Sequence, residues 1–102
     1  MSFAEIAPLD VKLDKYLVVD VREPQERVDI GFVPTSINIP LAGVLDGTAQ
    51  IPTSDKPLLV VCRSGARSAK ACAAIAQGGR QNVLNLTGGT LGWIAAGLKV
   101  DF

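Results

Sequence analysis

Leu58-Leu59-Val60-Val61-Cys62-Arg63-Ser64-Gly65-Ala66-Arg67-Ser68 is the stretch that decides the reading of this chain. An unbroken aliphatic run, β-branched in its second half, predicts a strand buried on both faces. It passes without a spacer into a short loop carrying one glycine, then into a helix predicted to reach about Gln77. On that helix Ala69, Cys72, Ala73 and Ala76 recur at i, i+3, i+4 and i+7, a thin face suited to lying close on a sheet. Gly78-Gly79 supplies the stop. A buried strand that feeds directly into a helix is the first half of a βαβ unit.

The flanks repeat the alternation. Leu17-Val18-Val19-Asp20-Val21 reads as a second buried strand, ended by Pro24, which opens a helix to about Val28 with Glu23 and Glu26 near its start. Ser36-Ile37-Asn38-Ile39 predicts a short strand closed by Pro40, and Leu41 to Leu45 a helical turn ending at Asp46-Gly47. Residues 48–56 read as loop. Beyond the central helix, Asn82-Val83-Leu84-Asn85-Leu86 predicts a strand, Gly88-Gly89 a turn, and Leu91–Ala96 a last helix ended by Gly97. The result is an α/β fold, a parallel sheet covered on both faces, in which ligands gather at the carboxyl ends of strands. Cys62 stands at such an end. The opening Ile6-Ala7-Pro8-Leu9-Asp10-Val11 lacks a clean helical pattern.

Composition removes several functions. The chain has 102 residues, 48% of them apolar, with Lys+Arg and Asp+Glu at ten each. That is enough for one core, so a single domain over 1–102 is expected. Without a basic excess, neither nucleic acid nor an anionic membrane is an expected partner. Histidine is absent, which excludes a Ser-His-Asp triad and a Cys-His dyad, and takes away the commonest metal ligand. Cys62 and Cys72 stand ten apart, outside the spacing of paired zinc ligands. No signal peptide or membrane-spanning run is visible, so a reduced, cytoplasmic monomer is the expectation. Asn85-Leu86-Thr87 has the form of a glycosylation acceptor, which such a chain has no use for.

The chemistry therefore falls on residues 62–68. A helix N-terminus carries unpaired N–H groups and the positive end of a dipole, and it favours anions. With Arg63 and Arg67 beside it, the same field lowers a thiol pKa, so Cys62 is expected to ionise with no histidine to deprotonate it. Gly65 permits a turn that aims several amides at the sulfur. The competing reading of Cys62 is a structural thiol ending a core strand. For Cys72, on the alanine face about two turns further on, packing is the expected role, with a resolving thiol as the alternative. Arg63 is expected to face solvent, and Trp93 to anchor helix to sheet.

Taken with three further motifs, the loop resembles the active-site loop of the rhodanese (sulfurtransferase) family. Asp20-Val21-Arg22-Glu23 is similar to that family's first signature. Ile37-Asn38-Ile39-Pro40 and Gly88-Gly89 to Gly92-Trp93, followed by Ala96-Gly97-Leu98, are similar to its later landmarks. The resemblance spans about residues 17–100. It departs at Gly31-Phe32-Val33-Pro34-Thr35-Ser36, where the family commonly has Gly-His-Ile-Pro-Gly-Ala.

The resemblance implies a flattened five-stranded parallel sheet and a Cys62 that carries sulfane sulfur as a persulfide, without metal or organic cofactor. It implies Arg63, Ser64, Gly65, Ala66, Arg67 and Ser68 as the substrate cradle. Arg67 is then expected to be braced by Asp20, with Asp20 and Arg22 a supporting pair that holds the loop. The implied partners are a small sulfur-containing anion as donor and cyanide or a thiol as acceptor. The alternative is a relay or regulatory module serving a protein sulfur acceptor. Related phosphatases use Cys-x5-Arg to surround a phosphate. Here Arg67 is five positions after Cys62, a shorter loop better suited to sulfur.

Overall fold

The computed structural model describes residues 2–102. A short strand, β1 (Ala4–Ile6), leads through 3₁₀ turns at Pro8–Asp10 and Leu13–Lys15 to β2 (Leu17–Asp20). Then follow α1 (Pro24–Ile30), β3 (Ile37–Asn38), α2 (Leu41–Asp46), β4 (Leu58–Val61), α3 (Ala66–Gln77), β5 (Val83–Leu86) and α4 (Gly89–Ala95). The strands form one five-stranded sheet in the order β1-β5-β4-β2-β3, every pairing parallel. This is the α/β architecture expected from the alternation of apolar runs and helical segments.

β4 is central, and all four of its residues are buried because helices cover both faces. Leu58, Val60 and Cys62 enter one cluster with Val19, Val21, Ala71, Cys72, Ile75 and Val83, beneath α3. Leu59 and Val61 enter the other with Val18, Val33, Leu86 and Trp93 of α4. Trp93 anchors as expected, its indole Nε1 donating to the Lys99 carbonyl at 2.8 Å.

Several details differ from expectation. The buried face of α3 is Ser68, Ala71, Cys72, Ile75 and Ala76, while Ala73 is exposed. Alanine fits any environment, so the alanines do not mark the face; Ser68 and Ile75 do. The opening segment holds β1, an edge strand whose Ala4 and Glu5 are exposed, which is why no buried pattern announces it. In the divergent loop, Thr35 adopts φ of 71°, the left-handed region that a glycine would occupy freely. Phe32 lies there under the Arg27 guanidinium, 3.9 Å from ring centroid to Cζ.

α4 begins at Gly89, two positions before the expected Leu91. Its first amides are tied down: Thr90 N donates to the Cys62 carbonyl at 2.8 Å and Leu91 N to that of Arg63 at 3.0 Å. Gly89 has φ of +60°, and a Cβ there would lie 2.5 Å from the Cys62 carbonyl oxygen. Only glycine lets this helix start so close to the loop. Among the described residues no helix is long and apolar enough to cross a membrane.

Candidate active site

Cys62 leaves the carboxyl end of β4 buried at 1% exposure. The next residues turn back over it: Gly65, with φ of 104°, is the N-cap of α3. That left-handed turn aims the Gly65 amide at the sulfur, N to Sγ 3.0 Å. One turn into the helix the Ser68 hydroxyl lies 3.3 Å from Sγ. Burial is the largest single influence on the thiol and pushes it up. The Ser68 hydroxyl and amide, then the Gly65 and Ser64 amides, together outweigh it, so the thiol lies below its ordinary value. Hydrogen bonds rather than the two arginines carry the acidity. Cys72 is buried without such donors. Burial first, then the charges of Glu5 and Cys62, push it up to about 12, which leaves it a packing residue at neutral pH. Both thiols are free.

The loop residues diverge in their surroundings. Arg63 and Ser64 are exposed at the mouth, as is Ala66, while Ser68 is fully buried. Arg67 does not meet Asp20. It forms a two-point pair with Glu26 of α1, Nη1 to Oε2 at 2.8 Å and Nη2 to Oε1 at 2.6 Å. Glu26 also accepts the Glu23 amide at 2.8 Å, and the Arg67 contact above all holds its carboxyl down at about 2.

Asp20 is taken up elsewhere. It accepts the Arg22 amide and a forked guanidinium contact whose shortest distance, Nη2 to Oδ2, is 2.7 Å. It also accepts Nη1 of Arg27 at 3.2 Å. Arg22, wholly buried, spends its other donors on the carbonyls of Glu26 and Gly31, within and just after α1. The Asp20–Arg22 pair therefore fixes α1 to the sheet. Its expected hold on the loop is indirect, through the Glu26 that α1 delivers to Arg67.

Two residues at the site were not legible as such. Glu26 reads in the sequence as a helix-start carboxylate, and its second partner lies 41 positions away. Asn85 of β5, 2% exposed, sits between Ser68 and Glu5. The available signal was a polar residue in a strand otherwise apolar throughout.

Comparison with known proteins agrees with this geometry. The family model for the rhodanese-like domain matches residues 6–96. A sulfurtransferase of Allochromatium vinosum is 39% identical over 84 residues, 82% of this chain and 77% of that one. The crystal structure of a rhodanese-related protein from Thermoplasma volcanium superposes with a TM-score of 0.86 at 36% identity, covering 96% of this chain and 97% of the other. A probable adenylyltransferase/sulfurtransferase of Mycobacterium tuberculosis is 35% identical over 81 residues, which are 78% of this chain but 20% of that much longer protein. A cysteine-bearing loop at the end of a central parallel strand, in this order of motifs, defines a sulfurtransferase-type α/β domain. The chain belongs to the rhodanese-like family.

Proposed function

We propose that residues 1–102 act as one rhodanese-like domain that moves sulfane sulfur through a persulfide on Cys62. The carrying observation is the sulfur itself, held at the mouth of β4 with the Gly65 amide 3.0 Å away and the Ser68 hydroxyl 3.3 Å away. In the first step the Cys62 thiolate attacks the outer sulfur of a donor such as thiosulfate. A new S–S bond forms, the donor's S–S bond breaks, and sulfite leaves with the bonding pair. The loop amides of residues 64–68 hold the outer sulfur, which carries the charge. Cyanide or a thiolate then attacks that sulfur and Cys62 departs as thiolate. Arg63, exposed at the rim, attracts the anionic donor.

A second reading is favoured by the relative in which this domain forms one-fifth of an adenylyltransferase/sulfurtransferase: sulfur passes between Cys62 and a protein partner, and small molecules turn over slowly. Two free thiols fit a reducing, cytoplasmic setting for either. Intact mass after thiosulfate should show one added sulfur atom, lost on adding cyanide and absent in Cys62→Ser. Loading without cyanide turnover favours the relay. Loading of the Cys62→Ser variant overturns both.

A further inference from the structure

Ser68 has one hydroxyl proton and three acceptors around it: Cys62 Sγ at 3.3 Å, the Gly65 carbonyl at 3.2 Å and Asn85 Oδ1 at 2.5 Å. The hydroxyl is buried, so water cannot supply a fourth partner. Which acceptor it serves depends on Asn85, and the Asn85 amide has its orientation chosen for it. Its Nδ2 donates to the Glu5 carboxylate at 3.1 and 3.2 Å and to the Gly65 carbonyl at 3.2 Å. Turned the other way, Oδ1 would face three acceptor oxygens. Glu5 is itself held by the Thr87 hydroxyl at 3.0 Å. Strand register aligns the set: Glu5 pairs with Asn85, and Asn85 with Val60, two residues before the thiol.

We infer that Asn85, oriented by Glu5, is a positioning residue that governs where the Ser68 hydroxyl points and thereby how readily Cys62 becomes a thiolate. While Cys62 is a thiol, the Ser68 proton rests on Asn85, and the Ser68 oxygen offers its lone pairs to S–H. When Cys62 ionises, the hydroxyl rotates to the sulfur and the Asn85 bond is given up. Once the outer sulfur is loaded, Sγ is no longer the anion and the proton swings back. It stays on the Ser68 oxygen throughout. Asn85 thus opposes ionisation of the empty site and favours the return of the proton once sulfur is bound. This rests on Cys62 being the nucleophile.

The charged and titratable groups coupled to the sulfur and its loop are Arg67 of α3 with its partner Glu26 of α1, Cys72 of α3, Arg63 of the loop, Asp20 at the end of β2 and, behind Asn85, Glu5 of β1; α4 and β5 bring none. Asn85→Leu changes the charge of none of these; it also takes a donor from Glu5 and from the Gly65 carbonyl, and comparison with the Ser68→Ala background isolates the part that runs through the hydroxyl. The test is the pH dependence of Cys62 alkylation by iodoacetamide, followed by peptide mass, in Asn85→Leu, Ser68→Ala and the double variant. Ser68→Ala should raise the thiol pKa and Asn85→Leu should lower it. Each should change the rate at a fixed pH below the pKa by about tenfold, the worth of one hydrogen bond to an anion.

In the Ser68→Ala background Asn85→Leu should do nothing. A merely structural Asn85 would move the pKa upward, or move it equally in both backgrounds, and either result overturns the inference. Should Asn85→Leu not fold, exposed Glu5 gives the same test. Glu5→Ala, which frees the amide to turn, should lower the pKa further than Glu5→Gln, which removes the charge but keeps an acceptor; equal shifts overturn it. Alkylation needs no sulfur transfer. The expected pattern in a protein that never loads sulfur would count against the proposed function alone, and loading without the pattern against this inference alone.

Discussion

Glu26→Gln removes the charge that pairs α1 with the thiol loop while leaving an oxygen to accept the Glu23 amide. The Glu26 carboxyl falls from its ordinary 4.5 to about 2, chiefly through its hydrogen bonds to Arg67. At about 1.36 kcal/mol per pH unit this sets a ceiling of roughly 3 kcal/mol on the pair. The side chains of Arg67 and Glu26 are 37% and 23% exposed, so water screens the attraction, and about 1 kcal/mol at pH 7 is the realistic figure. A carboxyl depressed in the folded state stabilises above its unfolded pKa, and that contribution is lost as pH falls through the folded value. The gap between wild type and Glu26→Gln should therefore be full at pH 7, narrow below pH 4.5 and vanish near pH 2. Asp46, also depressed by its bonds to Thr48, is common to both proteins and cancels. Urea midpoints across this range measure the gap. One that is absent at pH 7, or equally wide at all pH, refutes the pairing.

Cys72 should resist iodoacetamide at pH 8 in the native protein while Cys62 reacts, since burial and nearby charge hold its thiol near 12; peptide mass distinguishes them, and equal labelling would contradict the buried packing. Thr35→Gly should stabilise by about 1 kcal/mol, because it relieves a left-handed φ of 71° at an exposed position; melting should rise by about 4–8 °C. Gly89→Ala should cost more than about 2 kcal/mol, its Cβ 2.5 Å from the Cys62 carbonyl, and should slow Cys62 alkylation in whatever protein remains folded. An unchanged rate would separate the start of α4 from the loop.

The sheet's core and the loop were open to reading because their signals are local. Four aliphatic residues in a row, a glycine at the turn and prolines at strand ends need no knowledge of distant chain. What escaped was decided across the fold. Arg67 has acidic candidates throughout the sequence, and only packing brings Glu26 of α1 beside it while Arg22 and Arg27 claim Asp20. β1 has three residues, two of them exposed, so nothing in it differs from loop. Asn85 looked like the first residue of a glycosylation triplet. Its meaning came from the parallel register that sets Glu5 on one side and α3 above.

That register also has a bearing on biosynthesis. Glu5 and Asn85 are 80 positions apart, and the amides that clamp the Cys62 and Arg63 carbonyls come from α4, after both. While the chain emerges, Glu5, Cys62 and the donors of residues 64–68 precede Asn85 and α4, which come last. Long-range pairings of this kind form late in folding. The restraint on the Ser68 hydroxyl is in this way the last part of the site to be assembled, and a chain that stalls short of that point carries Cys62 beside its local donors but without the Asn85 and α4 contacts that set them.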